Sequence, residues 1–332
     1  MTTLYLSEQN AKVRREQNRL VVELEGQRLA EIHDFKVERV VVCGNVQMTT
    51  QVMTFLLERS IDTVFLSTHG KLKGRLTPLE SKNVHLRTRQ YERAKERPFT
   101  QAFAAAITKG KITNGIKVLA RHQRNHPECS LNPTIKQMEA LAERIQPSLA
   151  LDSLRGFEGQ AAALYFTGFA RTLRRDFSFE KRTRRPPTDP INSLLSFGYA
   201  LLHNEAIAAL SVVGCDPYVG FYHSNRYGRC SLALDVMEEM RPLVADRLAL
   251  YMSNLGIITW DDFVAGEEGG LLLTDLGRKK FFREYERLIT KEFVAQPNGA
   301  TTTLRRALHQ QVQLLQRTIL RGSTYQPFHG WH

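Results

Sequence analysis

The chain has 332 residues, 42% of them hydrophobic, which is enough for two domains with apolar cores of their own and no covalent staple. Its 46 basic residues against 34 acidic leave a formal charge of +12, which favours a polyanionic partner, nucleic acid first. Apolar runs such as GGLLL and ALLH fall far short of the roughly 20 residues that span a bilayer, so no membrane segment is expected.

The start, MTTLYLSEQNAKVRRE, turns polar too early for a signal peptide, and Cys43, Cys129, Cys215 and Cys230 form no Cys-x-x-Cys pair. A cytoplasmic protein with reduced thiols is expected. The first strands are LVVEL, a turn at Glu25-Gly26-Gln27, and RLAEI; then come RVVVCG, the helix TTQVMTFLLERS, DTVFLS and GKLKGRL. Residues 1–88 are therefore read as a β-rich domain of eight or nine strands, β-sandwich-like, with one helix. From about Arg89 apolar residues recur every three or four positions, through YERAKERPFTQAFAAAITKGKITNGIKVLARH, TIKQMEALAERI, EGQAAALYFTGFARTLRRDF, INSLLSFGYALLHNEAIAALSVVG and SLALDVMEEM. Residues 89–332 are read as an all-α-helical domain, joined to the first near Thr88–Glu92, in an α+β two-domain chain. Two breaks are expected inside it. RTRRPPTDP should be an exposed basic loop, because three prolines cannot stay helical, and AQPNGATTT, Ala295 to Thr303, should be flexible.

The positive charge is clustered. RTLRRDFSFEKRTRR holds seven basic and two acidic residues, among them Arg171, Arg174, Arg175, Arg182, Arg184 and Arg185. Such a run suits a phosphate backbone, and it equally suits a solvated helix face. In SLALDVMEEM a helix places Asp235 and Glu238 about 60° apart on one face, within reach of a common ion, with Leu232, Val236 and Leu243 on another. Pro242 should kink or end that helix. His223, in the Gly-containing VGFYHSNRYG, can fold back onto the two carboxylates, with Arg226 and Arg229 beside it. Glu158, in LRGFEGQAAALYF, is the candidate third donor, since Gly156 and Gly159 allow a backbone or phosphate to come close. On residue types alone Glu158 is equally a first-turn acid favoured by the helix dipole, and Asp235 and Glu238 a solvated face paired with Arg229 and Arg241. His122 and His126 have zinc-pair spacing but read as a basic surface helix, His203 as a semi-buried core residue, and GKLKG as no phosphate loop.

Taken together, GFEG at Gly156, RRPPTDPINSLLSFGYALL from Arg184, DPYVGFYHSNRYGRCSLALDVMEEMRP from Asp216 and the tail Tyr325 to Phe328 resemble the CRISPR-associated adaptation integrase family, the first of the universal CRISPR proteins (Cas-one). The resemblance covers nearly the whole chain. It implies a β-strand N-terminal domain that mediates a homodimer, and a helical catalytic domain whose metal site maps to Glu158, His223 and Glu238. Asp235 matches a further acidic position, also expected to serve catalysis. A Mg²⁺ or Mn²⁺ ion held there would neutralise charge on a phosphodiester under attack, Mn²⁺ being favoured by the histidine. The implied activity is insertion of short DNA fragments into a CRISPR array by attack of a 3′-hydroxyl on a repeat phosphodiester. Double-stranded DNA and a small ferredoxin-like adaptation protein are the implied partners. A nuclease of branched DNA without integration and a non-catalytic DNA scaffold are the alternatives.

Overall fold

The computed structural model describes residues 2–68, 70–78, 83–175, 177–184, 186–266, 269–294 and 300–330. Strands β1 (Thr2–Leu6), β2 (Lys12–Glu16), β3 (Arg19–Leu24), β4 (Gln27–His33), β5 (Val37–Cys43) and β6 (Gln47–Met48) lead to helix α1 (Thr50–Glu58), followed by β7 (Asp62–Leu66) and β8 (Leu72–Leu76). They form two four-stranded sheets, ordered β1-β5-β7-β8 and β4-β3-β2-β6. In the first, β1, β5 and β7 run parallel and β8 closes the edge antiparallel. The β3–β4 hairpin turns through Glu25 at φ 50° and Gly26 at φ 80°, the paired positive angles of a two-residue turn that matches strand twist.

The sequence VERVVVC explains why β5 lies centrally: it is apolar on both faces, as a strand covered on both sides must be. Val40 and Val42 join a core with α1 and strands of both sheets. Val41 and Cys43, pointing the other way, join the core of the helical region, with Val64 and Leu66 of β7. The first sheet thus packs against the helices directly.

Helices α2 (Val84–Arg93), α3 (Arg97–Asn125), α4 (Asn132–Glu143), α5 (Leu151–Arg171), α6 (Pro190–Val213), α7 (Ser231–Met237) and α8 (Arg247–Asn254) follow. Thr88–Glu92, expected to be a linker, lies within α2. The region is not all-helical, since β9 (Phe263–Ala265) pairs with β10 (Leu271–Leu273) before α9 (Asp275–Thr290), and β11 (Phe293–Val294) with β12 (Thr301–Thr302) before α10 (Leu304–Arg321). These strands are two or three residues long, too short for alternation to register in the sequence. Of the segment expected to be flexible, residues 295–299 lie outside the described residues, while Thr301 and Thr302 are paired.

Helix α6 shows the local logic of the helical half. Asp189 caps it by accepting from Asn192 N at 2.8 Å, Pro190 occupies the first turn where no amide donor is needed, and Gly214 at φ 87° ends it. The proline loop before it is not free: Leu271 N donates to Pro187 O at 2.7 Å, tying it to the β9–β10 hairpin. Pro242 does not end its helix. The chain stays helical from Ser231 to Asn254, tightening to a 3₁₀ turn at Glu238–Met240 and widening to a π turn at Pro242–Asp246. The wide turn absorbs the proline's missing donor, and Asp246 N reaches back to Arg241 O at 3.2 Å. Among the described residues no helix is long and apolar enough to cross a membrane, and all four cysteines are free.

Candidate active site

The change of helical winding falls where the carboxylates are. Asp235 lies in the last turn of α7 and Glu238 opens the 3₁₀ turn, and both are buried, at 0% and 1% exposure, so neither belongs to a solvated face. Asp235 organises the preceding loop. Its Oδ2 accepts from Phe221 N at 2.7 Å and Tyr222 N at 3.0 Å, and its Oδ1 from His223 N at 2.8 Å. His223 Nδ1 stands 2.7 Å from the same Oδ1. A carboxylate oxygen accepts, so Nδ1 is the donor in this contact, and Nε2 is turned toward Glu238 Oε1 at 3.7 Å. The fold-back needs Gly220, where a Cβ would meet Asp235 Oδ2 at 2.7 Å and the Ser231 backbone at 2.8 Å. Asp235 has both oxygens taken and no exposure, so it positions His223.

Glu158 arrives from α5, about two turns after Leu151, which removes the first-turn explanation for it. Gly156 and Gly159 have nothing within 4 Å of their Cβ positions, so the backbone beside Glu158 is bare to approach from outside. Between Glu158 and Glu238 stands Lys111, from α3. Its ammonium pairs with Glu158 Oε1 and lies 2.7 Å from Glu238 Oε2. That second contact joins the two buried charges as an ion pair. Arg241 Nη1 is 3.1 Å from Glu238 Oε1, and the Tyr222 hydroxyl donates to Glu158 Oε2. Burial pushes the Glu238 carboxyl up, but Arg241, Lys111 and His223 outweigh it and hold it at about 2. Burial likewise pulls the Lys111 ammonium down, and Glu238 and Glu158 more than reverse it.

Among the described residues no three His, Cys, Asp or Glu side chains already stand as a metal-ready cluster. The residues nevertheless fit a divalent cation. Two hard carboxylates and an imidazole nitrogen converge, and a lysine ammonium occupies the cationic position between the acids.

The arginines divide. Arg171, Arg174, Arg175, Arg184 and Arg226 are exposed and Arg229 is half-buried. Arg182 turns inward, donating to Asn192 Oδ1 at 2.7 Å and Ser196 Oγ at 3.0 Å and lying over the Tyr199 ring, so it ties its loop to α6 and offers little to a partner. Arg185 lies outside the described residues. Lys111 and Tyr222 were missed by sequence reasoning. Lys111 precedes Glu158 by 47 residues with no local pattern joining them, whereas Tyr222, directly before His223, could have been named as its neighbour.

Residues 4–287 match a family model described as CRISPR associated protein Cas1. The chain belongs to the Cas1 family. It is 37% identical over 324 residues to a CRISPR-associated exonuclease Cas4/endonuclease Cas1 fusion of Geobacter sulfurreducens, covering 95% of this chain and 58% of that protein. The chain thus spans little more than half the length of that relative. It is 35% identical over 330 residues to a CRISPR-associated endonuclease Cas1 of Thermus thermophilus, covering 99% of both. Among solved structures, a Cas6-RT-Cas1–Cas2 complex matches with a TM-score of 0.81 at 28% identity, covering 98% of this chain and 36% of that one. The α+β architecture, strand-rich and then helical, is therefore that of Cas1 proteins.

Proposed function

We propose that this Cas1 protein is a divalent-metal-dependent DNA endonuclease and strand-transfer integrase of CRISPR adaptation, inserting short DNA fragments into an array. The observation that carries this reading is the meeting of Glu158 and Glu238 at the Lys111 ammonium, with His223 Nε2 3.7 Å from Glu238 and Asp235 fixing the histidine. Glu158, His223 Nε2 and Glu238 would hold a Mg²⁺ or Mn²⁺ ion. When bound, that ion would supply Lewis-acid stabilisation of the charge that builds on a phosphodiester under in-line attack. The chain's own groups do the rest. Asp235 keeps the imidazole in one tautomer and orientation. The Tyr222 hydroxyl fixes one oxygen of Glu158 and leaves the other toward the site. Arg241 holds Glu238 ionised and aligned.

The exposed Arg171, Arg174, Arg175, Arg184 and Arg226, with Arg229, would contact the phosphate backbone of double-stranded DNA, contributing affinity and salt dependence without reading sequence. The bare backbone at Gly156 and Gly159 leaves room for that backbone near Glu158. The solved relative that contains Cas1 and Cas2 supports a small ferredoxin-like partner for this chain as well. The shared core of the two sheets and α1 supports a sandwich-like dimerisation unit over residues 1–88.

The test is transfer of a labelled short duplex bearing 3′-hydroxyls into a supercoiled plasmid with a CRISPR repeat, in Mn²⁺ or chelator, with and without the partner. Covalent transfer that needs metal and disappears in Glu158→Ala and His223→Ala is the expected result. Nicking without transfer would favour a nuclease of branched DNA. Unchanged activity in cells after loss of Glu158, His223 and Glu238 together would favour a non-catalytic scaffold.

A further inference from the structure

The loop between His223 and α7 carries a feature that the metal-site reading does not use. Tyr227 is fully exposed, at 107% relative accessibility. Every other exposed aromatic side chain among the described residues leans on the protein. Phe35 meets the His33 ring at 5.2 Å and Trp260 the Phe177 ring at 5.6 Å, the Tyr91 hydroxyl donates to Asp216 at 2.8 Å, and Tyr218 is hydrogen-bonded to Cys230. Tyr227 has no such contact. Its exposure is not the result of a loose loop. Ser231 Oγ donates to Ser224 O at 3.0 Å, Gly220 N to Asn225 Oδ1 at 3.1 Å, and Arg229 N to Arg226 O at 3.0 Å, closing a turn with Tyr227 near its tip and Gly228 at φ 70°. A braced turn thus holds an unpartnered ring in water between two arginines.

We propose that Tyr227 is a stacking platform for an unpaired nucleobase of the DNA strand that enters the site, an inference that rests on the DNA-processing reading above. The two arginines suit phosphates, and the ring suits the π-face of a base, so the turn matches the two halves of one nucleotide. A base inside a duplex has both faces covered by its neighbours, so a frayed, tailed or displaced base reaches the ring where an internal paired one does not. Stacking of this kind accepts any base, because every base has a π-face. His223 and Tyr227 are four residues apart in the chain, so their Cα atoms lie within about 14 Å, a few nucleotides along a strand. The platform would therefore grip the strand end close to the reacting phosphate and favour ends that are single-stranded.

The experiment compares a duplex with a short unpaired 3′ tail, carrying 2-aminopurine near its end, with the blunt duplex of the same sequence, in chelator so that no chemistry intervenes. The parent is expected to bind the tailed duplex more tightly and to quench the 2-aminopurine. Tyr227→Ala should lose about 5- to 150-fold in affinity for the tailed duplex, match the parent on the blunt one, and leave the fluorophore bright. Tyr227→Phe should behave as the parent, because the ring and not the hydroxyl stacks. Equal affinity of Tyr227→Ala and parent for the tailed duplex, an equal loss on both duplexes, or failure of Tyr227→Phe to quench would each overturn the platform while leaving the DNA-processing reading intact. If the parent binds neither duplex, that reading falls, and this one with it.

Discussion

Lys111 is an unusual neighbour for a metal site, since its ammonium and a divalent cation would compete for the same two carboxylates. Two unit charges 4 Å apart interact by about 4 kcal/mol at an effective dielectric constant of about 20, so removing the lysine charge alters metal affinity measurably. Lys111→Met is expected to bind Mn²⁺ at least about tenfold more tightly, read as free Mn²⁺ by electron paramagnetic resonance, while losing about 1–3 kcal/mol of stability in chelator, because Glu238 keeps Arg241 on one oxygen but has its other oxygen left buried without a partner. Weaker Mn²⁺ binding in the variant would mean that the lysine supports the bound state instead of standing in for it. Asp235 makes the opposite prediction. It has four donors around it and no exposure, so Asp235→Asn leaves His223 free to turn and should weaken Mn²⁺ binding by about 10–100-fold, with about 1–3 kcal/mol of stability lost because the amide nitrogen faces N–H donors it cannot accept from. A large loss of cooperativity with unchanged metal affinity would make Asp235 purely a folding residue.

Among the elements, the segment after α10 has a role its sequence hardly announces. Gly322 at φ 69° ends the helix, and the chain then crosses α3, where Gly110 makes room for Pro327, 2.6 Å from where a Cβ would stand. Tyr325 OH and Phe328 N each donate to Glu239 at 2.8 Å, and Asn114 Nδ2 donates to both Glu239 O and Phe328 O at 2.8 Å. The C-terminal strap thus holds the residue next to Glu238 and the helix that carries Lys111. Burial pushes the Glu239 carboxyl up to about 7, and Tyr325, Phe328 and Gln311 only partly offset it. A carboxyl raised in this way contributes stability that is full below its unfolded value near 4.3 and is lost as pH rises through about 7. Tyr325→Phe removes one donor to the ionised form, so it should cost about 1–3 kcal/mol, with a deficit wider at about pH 8.5 than at about pH 6, measured by urea unfolding. A deficit independent of pH would detach Tyr325 from the ionisation of Glu239. The same elements show what the sequence could convey. Val-rich β5 and the long helices were legible because apolar period and helical spacing are local signals. Strands β1, β2 and β6, the two short hairpins, the unbroken helix past Pro242 and the inward turn of Arg182 were not, because partners distant in the chain decide them.

At the scale of the whole molecule, the join between strands and helices is ionic as well as apolar. Arg39 on β5 pairs with Glu205 on α6, and its Nη2 with Asp62 at 2.9 Å. Arg305 on α10 grips Glu205 at 2.9 Å and Glu286 on α9 at 2.8 Å, and the Tyr5 hydroxyl of β1 donates to Glu286 at 2.8 Å. Glu205 is the centre of this network, 3% exposed, with an arginine from the sheet on one side and one from the last helix on the other. Burial alone would raise its carboxyl, but Arg39 and then Arg305 hold it at about 2. Its folded value is depressed below the unfolded one near 4.3, so its contribution is complete above about pH 4.3 and is lost as pH falls through about 2. Glu205→Gln leaves two arginines sharing a site without their central charge and should cost about 3–5 kcal/mol at neutral pH. Because the parent loses the same charge on acidification, the gap between parent and variant should narrow steadily below about pH 4.3 in denaturant unfolding followed by circular dichroism. A gap that stays constant down to about pH 3 would show that the amide fails for reasons of shape, and that the charge at Glu205 does not hold the sheet to the helices.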